Sequence, residues 1–250
     1  MDRDIFLQLS RFPTERGNVH LFDDPNDLQY YTATAIAAGT AAIASEWGGG
    51  LLISGAATTD NSGSNLQGPA SFGLNSKFGQ SVLKFAADVQ MSDALNAHFT
   101  AGYAQTDANT EGGVTNGIYF RKLDGTRRLF MVIEKAGAFV TMDTGVDLQD
   151  GWRYQTLFTA ELVDTAGAGQ RSLVGYEIRG YAGGGDPAVN APTQVVTDRV
   201  VMASALDIAG GDPLLRPTLQ YISGNNVGTK TCLVRGVVTY NSGLIYPGGF

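Results

Sequence analysis

Apolar and polar residues take turns along most of this chain. In Val82–Met91 the residues Leu83, Phe85, Ala87, Val89 and Met91 interleave with Val82, Lys84, Ala86, Asp88 and Gln90. In Trp152–Leu162 the residues Trp152, Tyr154, Thr156, Phe158, Ala160 and Leu162 fall on one side. A period of two sends successive side chains to opposite faces of an extended backbone, so each segment has one face for a core and one for water. The pattern predicts strands at Tyr30–Ile36, Gly50–Ala56, Ala70–Leu74, Val82–Met91, Ala97–Gln105, Gly117–Lys122, Arg128–Glu134 and Ala138–Met142. It continues through Arg153–Leu162, Leu173–Tyr181, Arg199–Ser204, Leu215–Ile222 and Thr231–Tyr240.

Turn chemistry separates these runs at Asp60-Asn61-Ser62-Gly63, Asp124-Gly125, Lys135-Ala136-Gly137, Gly167-Ala168-Gly169 and Gly224-Asn225-Asn226. Asp-Gly between two alternating runs is a strong hairpin signal, because both central residues must tolerate positive φ. Gly117–Lys122 is therefore expected to pair with Arg128–Glu134, and that strand with Ala138–Met142. Strands at this frequency, with no helical period between them, predict an all-β sandwich or barrel. Short helical turns are expected at Pro25–Gln29, Ala41–Trp47 and Ser92–Asn96, the last with Ser92-Asp93 as N-cap.

Residues 1–28 lack sustained alternation and are rich in acid: Asp2, Asp4, Glu15, Asp23, Asp24 and Asp27. They read as an irregular N-terminal arm with one strand at Ile5–Leu9, followed by a sandwich domain over residues 29–250. Two loops echo each other, Gly184-Gly185-Asp186-Pro187 and Gly210-Gly211-Asp212-Pro213. Gly, Asp and Pro are the common turn formers, so two turns solved alike explain the echo without a repeat.

Only 16% of the 250 residues are charged, against roughly 25% in typical soluble domains, and 33 are glycine. Low charge suits many tight turns and also a surface covered by other subunits. The net charge of −7 argues against nucleic-acid partners, which need clustered Lys and Arg. The basic pairs Arg121-Lys122 and Arg127-Arg128 flank a turn and read as solvated. The lone Cys232 excludes an intrachain disulfide and reads as a buried, inert thiol. Nothing resembles a signal peptide, and no run of ~18 apolar residues suggests a membrane span.

Candidate chemistry is sparse. His20 and His98 have no partner at ligand spacing, which argues against zinc, and His98 is expected to face solvent. The oxygen-rich loops Asp60-Asn61 and Asp107–Glu111 keep calcium open, although no EF-hand pattern is present. There is no Gly-x-Ser-x-Gly elbow. Glu134, Glu161 and Glu177 are the candidates for a carboxylate pair of the glycosidase kind, but each reads as a solvated residue. Gly224–Thr231 imitates a phosphate loop with Thr229 where the second glycine belongs and a strand where the helix should start. Phe85, Phe99, Phe120, Trp152 and Phe158 are assigned to the core. Tyr30, Tyr31, Tyr103, Tyr119, Tyr181 and Tyr240 are the aromatics that could stand exposed, for sugar or protein. No catalytic, cofactor-binding or metal-binding residue is assigned, and no enzyme activity is expected.

One stretch resembles a known family. Its residues are Gly49–Gly55, Leu83–Val89, Phe99–Tyr103, Gly117–Lys122, Val132–Glu134 and Gly151–Tyr154. Their order is similar to concanavalin-A-like, or laminin-G-like, jelly rolls in accessory structural proteins of tailed bacteriophages. The resemblance covers about residues 49–181. It departs at Gly175–Tyr181, which lacks the Tyr-x-Asp-Gly hairpin often found there, and so carries over no ligand site.

The resemblance implies an all-β antiparallel sandwich of concanavalin-A-like jelly-roll type. It also implies a capsid decoration (cement) protein or head-fibre base in the virion, made in the host cytoplasm. Such a protein would bind the major capsid protein and self-associate, a homotrimer being favoured, with no nucleic-acid or membrane partner. The alternative is a carbohydrate-binding, lectin-like module of a phage fibre, marked by a row of exposed aromatics. A glycan-cleaving enzyme is the third reading.

Overall fold

The computed structural model describes residues 17–21, 25–44, 50–70, 72–74, 82–112, 114–165, 169–187, 189–202, 206, 211–224 and 228–242. Fifteen strands are defined among them: β1 (Gly17–Leu21), β2 (Thr32–Ile36), β3 (Thr40–Ile43), β4 (Leu51–Ser54), β5 (Ser62–Gln67), β6 (Val82–Met91), β7 (Ala97–Ala104), β8 (Asn116–Lys122), β9 (Arg128–Lys135), β10 (Ala138–Asp147), β11 (Arg153–Thr165), β12 (Gly169–Tyr181), β13 (Gln194–Met202), β14 (Arg216–Ser223) and β15 (Thr231–Ser242). Short 3-10 turns occupy Pro25–Tyr30 and Ala182–Gly184.

Two antiparallel sheets stack face to face. Sheet A runs β13-β12-β11-β6-β15-β4-β3, and sheet B runs β10-β9-β8-β7-β14-β5-β2. This is the all-β antiparallel sandwich that the alternation predicts, of the kind that the family resemblance implies. The hairpins β8–β9 and β9–β10 form in the expected order, with Ile118 opposite Ile133 and Val140 opposite Ile133. β15 takes two partners along one side: Thr231–Val234 pairs with β4, and Gly236–Tyr240 pairs with β1. Its register against β6 slips between Val234 and Gly236, so a bulge at Arg235 divides the two halves.

The core lies between the sheets, built from alternate residues of each strand. Phe85 stacks on Phe158 at 5.6 Å, Tyr103 meets both rings edge-on, and Phe120 bridges Phe158 to Tyr176. The Tyr103 hydroxyl crosses from sheet B to sheet A. It donates to the Lys84 carbonyl at 2.7 Å and accepts the Tyr240 N–H at 3.2 Å. A buried tyrosine thereby keeps its polar tip satisfied while its ring fills the core.

Several local expectations are corrected. Ala41–Trp47 is not a helical turn where described: residues 40–43 form β3, paired with β4. Ser62-Gly63 is not a turn but the start of β5, which lies between β14 and β2. Of Ala70–Leu74, the described residues contribute the bridge Phe72–Leu215 and no longer strand. Ser92–Asn96 bends without forming a helix, and the capping role falls to Asp93, whose Oδ1 accepts the N–H groups of Leu95 and Asn96. Pro25–Gln29 does form a helical turn, and the expected strand Tyr30–Ile36 starts at Thr32. Within the expected arm, Gly17–Leu21 is a strand of sheet A, whereas Ile5–Leu9 lies outside the described residues.

Candidate functional site

The outer face of sheet A holds an open trough over β11, β12 and β13. Its volume is about 550 Å³, and it is lined by Leu157, Thr159, Gly175, Tyr176, Glu177, Thr197, Asp198 and Arg199. Register explains the assembly. Arg199, Gly175 and Thr159 lie in one row across the three strands, and Thr197, Glu177 and Leu157 lie in the next. These are the outward positions, because Phe158, Val174, Tyr176 and Ile178 between them point into the core.

Gly175 makes the depression. A Cβ placed on it would meet only the Arg199 Cγ, at 3.9 Å. Other strand glycines are required by packing: a Cβ at Gly63 would sit 1.9 Å from the Tyr221 carbonyl oxygen, and one at Gly102 lies 2.5 Å from that of Ile118. A strand glycine weakens the strand, and where no packing demands it, it marks a place of close approach by something else. Around the gap stand an apolar patch (Leu157), two hydroxyls (Thr159 and Thr197) and two charged side chains (Glu177 and Arg199). The Glu177 carboxylate accepts a hydrogen bond from Nε of Arg179 on the same strand face.

A second, smaller cleft of about 270 Å³ lies on sheet B, lined by Thr32, Thr34, Gln67, Thr106, Asp107, Ala108 and Arg216. Its polar groups are largely engaged. Arg216 donates to Thr106 Oγ1 and to the Gly68 carbonyl, both at 2.8 Å. Gln67 accepts the Asp107 N–H and donates to the Gln105 carbonyl, while Asp107 Oδ1 accepts the Asn109 N–H. Gln220 in turn accepts the Thr110 N–H and donates to Asn109 Oδ1. These amides strap the 105–112 loop to the sheet, so the oxygen-rich run Asp107–Glu111 serves as structure. Among the described residues no group of three or more His, Cys, Asp or Glu side chains could hold a metal ion.

The other singled-out residues are scattered. Glu134 is in sheet B and accepts a hydrogen bond from the Tyr119 hydroxyl at 2.9 Å. Glu161 lies on the same face as Glu177, but its partner on β12 is Leu173, four residues away. That puts their backbones on the order of 13 Å apart along the strands, and the Glu177 carboxylate is engaged by Arg179. His98 does not face open solvent: Nε2 lies 3.0 Å from Glu111 Oε1, and Nδ1 accepts the Asp124 N–H. Burial lowers its pKa despite the two neighbouring carboxylates. Nothing is described of the His20 side chain.

Lys122 is not solvated. It is fully buried, and Nζ donates to the carbonyls of Leu95 and Ala97. Burial pulls its pKa down to about 8. Of the tyrosines that could stand exposed, only Tyr30 does, while Tyr31, Tyr103, Tyr119, Tyr181 and Tyr240 are buried. Phe139 is the other exposed aromatic among the described residues, so no aromatic row forms there. Phe85, Phe99, Phe120 and Phe158 occupy the core as expected, and Trp152 is half-buried against it.

Of the trough residues, the sequence drew attention to Glu177 alone. The signal for the rest was Gly175, the interruption in the alternating run Leu173–Tyr181.

No protein-family model matches the chain, and no curated protein matches it in sequence. Solved structures do share the fold. Arcelin-5, a lectin-like defence protein from Phaseolus vulgaris, superposes with a TM-score of 0.57 at 11% identity, over 92% of this chain and 99% of that one. Peanut lectin gives 0.54 at 11% identity, over 92% and 99%. A protein of unknown function from Shewanella oneidensis MR-1 gives 0.53 at 13% identity, over 98% of both chains. The likeness spans nearly the whole sandwich and establishes a concanavalin-A-like jelly roll. At these identities it speaks for the fold alone.

Proposed function

We propose that the protein is a carbohydrate-binding, lectin-like module that holds a glycan in the trough over Gly175. The observation that carries this reading is the glycine itself, a gap that packing does not require, set among hydroxyl, carboxylate, guanidinium and apolar groups. Sugars present that mixture in return: hydroxyls for hydrogen bonds and C–H faces for apolar contact. That lectins share the fold supports the reading as analogy. It favours the glycan over the capsid attachment implied by the sequence resemblance. Capsid decoration, trimer formation and a virion location stay with that resemblance, and mass spectrometry of purified particles tests them.

The test is a glycan array read with the wild-type chain and with Gly175→Val. Valine suits a strand, and its Cβ meets no backbone atom, so the variant fills the trough while the fold survives. Binding by the wild type, lost at least tenfold in Gly175→Val with an unchanged melting temperature, supports the proposal. An array without hits, or equal binding by both proteins, overturns it.

A further inference from the structure

Resting on that reading, we infer that the trough selects acidic sugars, glycans bearing a carboxylate or a sulfate ester, through Arg199. Glu177 is engaged by Arg179 on its own strand face. Asp198 lies in register with the inward Tyr176, so its side chain leaves β13 on the opposite face from Arg199, where Oδ1 accepts the Arg199 N–H. Among the described residues no carboxylate forms an ion pair with the Arg199 guanidinium, which is exposed at the trough's edge. The charge left available to a ligand is therefore positive, although the chain as a whole is acidic.

Position supports the assignment. Arg199 lies directly across from Gly175, and its Cγ is the nearest atom to the empty Cβ position. The aliphatic stem thus borders the gap and carries the guanidinium beside it. A sugar ring seated over Gly175 would have Leu157 and the arginine stem for its apolar face and the hydroxyls of Thr159 and Thr197 for its own hydroxyls. The guanidinium fork matches the paired oxygens of a carboxylate or sulfate. Thr159 and Thr197 carry no charge that would repel the anion, and Glu177 is screened by its bond to Arg179.

The experiment is a panel of neutral, uronate-, sialate- and sulfate-bearing glycans. The best binder is then titrated beside its neutralised counterpart, the methyl ester or the desulfated form. Arg199→Gln, Arg199→Lys and Gly175→Val are measured in parallel. The inference expects acidic glycans to lead the panel, with neutralisation and Arg199→Gln each costing at least tenfold. Arg199→Lys should fall between, and affinity should drop as salt rises. Whether carboxylates or sulfates lead identifies the anion. Neutral leading binders, or an indifferent Arg199→Gln beside a damaging Gly175→Val, overturn the charge assignment and leave the trough as a glycan site. A panel with no binder overturns both readings.

Discussion

The guanidinium of Arg153 closes on both carboxylate oxygens of Asp88, Nε to Oδ1 at 2.7 Å and Nη2 to Oδ2 at 2.5 Å. The pair lies on the outer face of sheet A, yet Asp88 is fully buried and Arg153 nearly so. Gln155 and Tyr181 extend the network, the Tyr181 hydroxyl donating to Gln155 Oε1 at 3.1 Å. Asp186, from one of the two echoing Gly-Gly-Asp-Pro loops, comes within 3.8 Å of Arg153. The other echo behaves alike: Asp212 pairs with Lys135 at 2.8 Å.

Removing one partner of a buried pair strands the other charge without water. Asp88→Ala is expected to cost about 3–5 kcal/mol, read as a lower denaturation midpoint. Replacing both residues by Leu should recover much of that loss. A single-variant cost under about 1 kcal/mol would show that water reaches the pair.

Two glycines separate fold from site. Gly63→Ala drives a Cβ into the β14 backbone and should unfold the protein or sharply lower its melting temperature. Gly175→Ala has space and should leave the melting temperature within a few degrees of wild type, or raise it. Circular dichroism melts of the two variants test the contrast.

Lys122 gives a pH signature. Its folded pKa of about 8 lies below the ordinary 10.5. Between those values the unfolded chain binds more protons than the folded one, so stability rises with pH across that window. The slope from one such group reaches at most about 1.4 kcal/mol per pH unit. Lys122→Met removes this contribution while leaving the Leu95 and Ala97 carbonyls without their donor. Denaturant titrations between pH 8 and 10 should show a steeper gain for wild type than for the variant.

Cys232 reports global opening. It lies fully buried on β15 between β4 and β6, and burial pushes its thiol pKa well up. With neither thiolate nor access, a thiol reagent should label it at the rate of unfolding. Fast labelling of the native protein at neutral pH would contradict that.

The sandwich was legible because burial on one face leaves a period-two trace, strongest in β6, β8, β9 and β11. β5 was hidden because Ser62, Gly63, Ser64 and Asn65 look like a loop, although Ser62 hydrogen-bonds inside the structure and Gly63 fits beneath Tyr221. β3 was hidden because its run of alanines carries little periodicity. Lys122 misled because a basic residue beside a turn is normally solvated, and only the fold shows the carbonyls that receive it. The trough was nearly silent. Thr159, Thr197 and Arg199 are ordinary outward strand residues, and only cross-strand register assembles them.

The β1–β15 pairing sets Gly17 beside Tyr240. On the ribosome, then, β1 leaves the exit tunnel with its docking seam still unsynthesised, and sheet A cannot close until the chain has been extended through β15. Such distant pairing is intrinsically slow. Until it forms, that flank of β15 is a bare ladder of amides and carbonyls, open to any passing extended chain.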